Sequence, residues 1–108
     1  MPTVYYLNWD RHNATLAAQD LFHGCHRETP EYLTETEFDD LYREVADVDT
    51  QNLEQLYHEW NYGSGYESQA FVEAEVRSMS VGDIVRKDTS HYICATIGWD
   101  KLDILDER

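Results

Sequence analysis

VGDIVRKDTSHYICATIGWDKLDI, residues 81–104, reads as a succession of turns and short strands. Val81-Gly82-Asp83 has the composition of a tight turn, and the β-branched Ile84 and Val85 behind it open a strand over residues 84–87. Asp88-Thr89-Ser90 supplies a hairpin turn into a second strand over 91–97, and a third strand spans 99–104. Residues 105–108 are expected to fray. Strands joined by connections this short run antiparallel, so this stretch predicts a C-terminal β-meander.

Upstream of this stretch, Ala70, Val72, Ala74 and Val76 alternate with Phe71, Glu73, Glu75 and Arg77, the period-two pattern of a strand, with a short helix as the alternative. Further upstream the period lengthens. After Asp49 or Thr50, residues Leu53, Leu56, Tyr57 and Trp60 recur at helical spacing until Asn61-Tyr62-Gly63-Ser64-Gly65 breaks the pattern. Thr34 and Glu37 have the spacing of a capping box that opens another helix, with Phe38, Leu41, Tyr42 and Val45 as its apolar stripe. Pro30 separates that unit from a first helix, in which Ala14, Ala17, Ala18 and Leu21 share a face. Asp10 or Asn13 can cap it, and Gly24 can close it after about His23. The β-branched and aromatic residues of segment 3–9 predict an N-terminal strand. With no repeat or linker, all 108 residues form one domain. The order of one strand, three helices and several strands predicts an α+β fold, with the helices packed on one face of a mostly antiparallel sheet.

The stretch Arg77-Ser78-Met79-Ser80-Val81-Gly82-Asp83-Ile84-Val85, followed by Tyr92-Ile93-Cys94 and Ile97-Gly98-Trp99, resembles the YodL-like domain, whose pattern is a serine-rich SVGD turn leading into a hairpin. The resemblance covers about the last quarter of the chain and implies a small accessory domain of plasmids, conjugative elements and phages, without an established catalytic role. The same residues also have a structural reading: Gly82 permits the turn, Asp83 accepts backbone hydrogen bonds within it, and Val81, Ile84 and Val85 fill a core.

Charge is the outstanding compositional feature. Twenty-two Asp and Glu oppose eight Lys and Arg, giving a net charge of -14. Any phosphate-binding surface would be assembled against a repulsive field, so direct nucleic-acid binding is not expected. Ten of the acids but one base fall within residues 31–60. On the helix after Thr34, Glu37, Asp40, Glu44 and Asp47 form a stripe opposite its apolar face, with axial steps of about 4.5 and 6 Å. That row approaches the phosphate spacing of a nucleic-acid strand, about 3.4 Å. Such a surface suits a DNA mimic that inhibits a nucleic-acid-handling protein. Alternatively, with Lys87 and Lys101 the only lysines, the acidity suits a salt-adapted host.

Chemistry-bearing motifs are sparse. His23, Cys25 and His26 form the only close cluster of soft ligands among the five histidines and two cysteines. A metal-dependent enzyme centred on them is an alternative reading, although the usual zinc-ligand spacings are absent and a fourth ligand would have to come from elsewhere. The other reading places these histidines at a helix C-terminus, bonding free carbonyls. Free thiols are expected for Cys25 and Cys94. On one strand, His91 and Cys94 would point to opposite faces and could not act together. No phosphate-binding loop, dinucleotide fingerprint or nucleophile elbow is present, and no cofactor is expected. The sequon Asn13-Ala14-Thr15 is unaccompanied by a secretory signal, and no apolar run is long enough for a membrane span, so a cytoplasmic protein is expected. Tyr57 and Trp60 suit the core. Tyr62 and Tyr66, flanking the glycine-rich break, suit exposed aromatic anchors. The sequence thus predicts a small acidic, non-enzymatic accessory protein of a mobile element (plasmid or virus) of a salt-adapted host, binding a partner with a basic surface through Glu37, Asp40, Glu44, Asp47, Tyr62 and Tyr66.

Overall fold

The computed structural model describes residues 1–10 and 14–106, so the expected cap at Asn13, the sequon that includes it, His12 and the last two residues lie outside the described residues. The fold is α+β, built on a six-stranded, mostly antiparallel sheet. Its elements are β1 (Thr3–Leu7), α1 (Leu16–Cys25), β2 (Tyr32–Thr34), α2 (Glu35–Leu41), β3 (Tyr42–Asp47), α3 (Leu53–Glu59), α4 (Gln69–Ala74), β4 (Ile84–Lys87), β5 (Ser90–Cys94) and β6 (Trp99–Leu105). Spatial order is β2-β6-β5-β4-β1-β3. The predicted meander is β4-β5-β6, and among the described residues the one parallel pair joins β2 to β6.

The N-terminal strand lies inside the sheet, between β3 and β4. That position explains the main departure from the sequence pattern. The capping box at Thr34 and Glu37 is present, but the helix it opens ends at Leu41, and Tyr42–Asp47 is a strand rather than more helix. β1 is buried, so its backbone groups need partners along both edges. Pairing with β3 supplies the second edge and overrides the local helical periodicity. The pairing Val4↔Ala46 and Tyr5↔Glu44 leaves Val45 as a bulge. Over segment 70–76 the strand reading gives way to the helical alternative: Gln69–Ala74 is helix α4, capped by Ser68, whose side chain accepts from the Phe71 amide. Phe71 is buried there while Val72 is 57% exposed, the reverse of the expected alternation. Helix α1 is capped by Thr15 rather than Asp10, and Gly24 lies within its last turn instead of terminating it.

The helices cover both faces, not one. Leu7, Ile84, Ile93 and Leu102 pack with Ala18 and Cys25 of α1 and Leu41 of α2. Val4, Tyr6 and Val85 pack on the opposite side with Leu56 of α3, Trp60 and Phe71 of α4. The near-continuous apolar run of β1 is the signature of a strand buried on both faces, as are Ile84 and Val85 at the start of β4. On the second face the helical layer extends only over part of the sheet, and Tyr32, Lys101, Asp103 and Leu105 remain exposed on β2 and β6. No helix among the described residues is long and apolar enough to cross a membrane.

Candidate functional site

The residues of the SVGD turn build a buried structural node. Asp83 is fully buried, and its carboxylate accepts four hydrogen bonds. Leu7 N and Arg77 Nη2 reach Oδ1 at 2.9 and 2.8 Å; Ser80 N and Arg77 Nη1 reach Oδ2 at 2.8 and 2.7 Å. Arg77 Nη2 also donates to the Leu7 carbonyl at 2.9 Å, and its guanidinium carbon lies 4.2 Å from the centre of the Tyr6 ring. Its Nε lies 3.0 Å from Asp10, close in distance but not aligned as a hydrogen bond. Burial pushes the Asp83 carboxyl upward against the pull of Arg77 and the two amides. Gly82 has φ +95°, and a Cβ there would meet Leu7 Cδ2 at 3.2 Å. The Tyr42 hydroxyl donates to the Gly82 carbonyl at 2.6 Å. These groups tie β1 and β3 to the start of β4.

The metal cluster of the alternative reading is not assembled among the described residues. Cys25 turns into the core towards Leu7 and Gly82, where burial, then the charge of Asp83, pushes its thiol up to about 11. His26 Nδ1 contacts the Phe22 carbonyl at 2.9 Å, the helix-end role that the sequence also allows. Among the described residues no three His, Cys, Asp or Glu side chains converge as metal ligands. Cys94 is free, as is Cys25. It borders a cavity of about 240 Å³ together with His58, Glu54 and Trp99, but burial pushes its thiol up to about 12. A thiol held protonated at neutral pH is not a prepared nucleophile. His91 packs against Phe38 on the α2 side of the sheet and has no part in that cavity.

The six predicted binding residues divide. Glu37 and Asp40 lie on α2, whereas Glu44 and Asp47 lie on β3, so the single charged helical row does not exist. The Val45 bulge nevertheless places Glu44 and Asp47 on one sheet face, opposite Tyr5 and Thr3. Glu37 is occupied by its cap, and Asp47 accepts from the Thr3 hydroxyl at 2.7 Å. Tyr62 is 61% exposed, yet it folds back: its ring centre lies 4.7 Å from that of Phe71, and its hydroxyl donates to the Val76 carbonyl at 3.0 Å. Tyr66 alone has the form of an anchor, 73% exposed on the loop between α3 and α4.

That loop is fixed by its own polar groups. Gly63 and Gly65 both have φ +84°, the left-handed region open to glycine. The Ser64 hydroxyl donates to the His58 carbonyl at 2.6 Å, the Gly65 amide to Glu67 at 2.7 Å, and the Ser68 amide to the Glu59 carbonyl at 3.0 Å. The Gly65 amide and the Ser64 hydroxyl hold the Glu67 carboxyl below the usual carboxylate range. Tyr66 thereby borders an open cleft of about 540 Å³ with Gln55, His58 and Glu59. Glu59 also borders a second depression of about 170 Å³, whose walls include Asp47 and Asp49. The Glu59 carboxylate is oriented by Thr50, at 2.6 Å, and by Gln55, at 2.9 Å. An aromatic ring and three carboxylates thus line two adjoining hollows. Sequence reading missed Glu59, Asp49 and His58, although all three lie in the acid-rich segment or on the helix leading to the loop.

Comparisons with family models, curated proteins and solved structures found no match for the chain.

Proposed function

We propose that this chain is a small acidic binding protein that docks on a basic protein surface, with Tyr66 as anchor and Glu59, Asp49 and Asp47 as the charge-recognising flank. The observation that carries the reading is the loop that fixes Tyr66 beside Glu59, itself shared with the hollow containing Asp47 and Asp49. An exposed tyrosine covers the methylene stem of Lys or Arg and attracts its cationic head, while nearby carboxylates steer the encounter and select its sign. A rigid loop lowers the ordering cost of binding. The decoy reading needs four carboxylates at regular steps along one helix, and their division between α2 and β3 removes that spacing.

Location separates this proposal from charge attraction alone. Asp47→Asn with Asp49→Asn removes two charges from the proposed surface; Asp39→Asn with Asp40→Asn removes two from α2. Calorimetric titration with a deca-arginine peptide should show a several-fold greater loss for the first pair, and Tyr66→Ala should weaken binding without unfolding. Equal losses for both pairs would mean that net charge alone draws the peptide.

A further inference from the structure

We infer that the uncovered part of the sheet, formed by β5, β6 and β2, is the contact face of a two-fold dimer of this chain. Register and alternation define the face. Tyr92 pairs with Lys101 across β5 and β6, and Tyr32 pairs with Asp103 across β2 and β6, so these four side chains share one side of the sheet. Leu105 belongs to the same side, being two residues beyond Asp103, and Lys87 joins it through the Val85↔Tyr92 pairing. The helices α3 and α4 lie on this side, yet Tyr32 remains 54% and Leu105 43% exposed. The opposite side of the same strands is sealed by α1 and α2 through Leu33, Ile93 and Leu102.

Charge identifies the occupant. Both lysines of a chain with net charge -14 stand on this face, accompanied by Asp103. It is therefore a place where a second, equally acidic copy meets little local repulsion. Among the described residues neither Lys101 nor Asp103 has an ion-pair partner, although they stand two residues apart on one side of one strand. A positive and a negative charge side by side form a self-complementary pair. Under a two-fold axis Lys101 of one copy meets Asp103 of the other, and the reverse contact follows by symmetry. Tyr32, Tyr92 and Leu105 supply the apolar area around the pairs, and two such faces would stack about 10 Å apart. This inference is independent of the Tyr66 surface.

Sedimentation equilibrium in 0.5 M potassium chloride, where long-range repulsion between copies is screened, tests it by charge exchange. The wild-type chain should be dimeric at 100 µM. Lys101→Asp places two acids opposite each other at both contacts and Asp103→Lys places two bases there, so each should weaken dimerisation about tenfold or more. The variant carrying both substitutions recreates the pair in reverse and should return near wild-type affinity. Both positions are exposed, and circular dichroism should show an unchanged fold. A wild-type monomer at 100 µM would overturn the inference, as would single variants that dimerise like wild type or a double variant that fails to recover.

Discussion

Replacing Asp83 with Asn tests the buried node with a change of one atom. The carboxylate accepts two hydrogen bonds on each oxygen, one from Arg77 and one from a backbone amide. Whichever way an asparagine amide turns, its nitrogen replaces an acceptor and meets two donors, while the buried guanidinium loses its principal counter-charge. Removing one member of a buried ion pair costs about 3–5 kcal/mol. Asp10 still lies 3.0 Å from Arg77, which places the expected loss near the lower end. Three kcal/mol is a large share of a total that is roughly 5–15 kcal/mol for a small domain, and it corresponds to a fall in Tm of about 12 °C or more. Urea unfolding followed by tryptophan fluorescence should show the lower midpoint with an unchanged slope. The exposed control Asp103→Asn should lose less than about 0.5 kcal/mol. A loss below about 1 kcal/mol for Asp83→Asn would mean that this pair does not hold β1 to the start of β4.

Three further outcomes follow from the same geometry. Tyr62→Ala should cost about 1–2 kcal/mol through the lost packing on Phe71 and the bond to Val76, whereas Tyr66→Ala should be nearly neutral in denaturant unfolding. In the native protein both thiols should react slowly with a disulfide reagent at pH 8, since burial pushes Cys25 up to about 11 and Cys94 up to about 12, and both should react rapidly once unfolded. Burial, followed by the charge of Arg86, holds His91 below its ordinary value of 6.5. The unfolded chain therefore takes up this proton first as pH falls through 6.5, and the wild type should lose stability relative to His91→Phe over that interval. Melts of the two proteins from pH 7.5 to 5 measure the difference.

The sequence was most legible where local chemistry and global fold agree. The hairpin from Ile84 to Cys94 and the cap at Thr34 follow from turn and capping residues within a few positions of each other. Tyr42–Asp47 was misleading because its strand state depends on β1, more than thirty residues upstream, and no local period reports that need. Segment 70–76 shows the ambiguity of short apolar patterns: Ala70, Val72 and Ala74 alternate, but Ser68 caps a helix whose inward residue is Phe71. The consecutive apolar residues of β1 did carry the signal for two covered faces. The exposure of Tyr66 on its loop was legible from the glycines around it, whereas the convergence of Glu59 with Asp47 and Asp49 depends on where β3 ends beside α3 and could not be read from spacing.

The proposed function localises recognition on one part of the acidic surface of a chain whose 22 Asp and Glu, apart from the buried Asp83, could draw cations from many directions. Nuclear magnetic resonance titration of ¹⁵N-labelled protein with a deca-arginine peptide in 0.15 M salt tests it most directly. The largest shifts should cluster at Tyr66, Glu59, Asp49 and Asp47 and collapse in Tyr66→Ala. Shifts spread evenly over the acidic surface, with α2 affected as strongly as the Tyr66 loop, would contradict it.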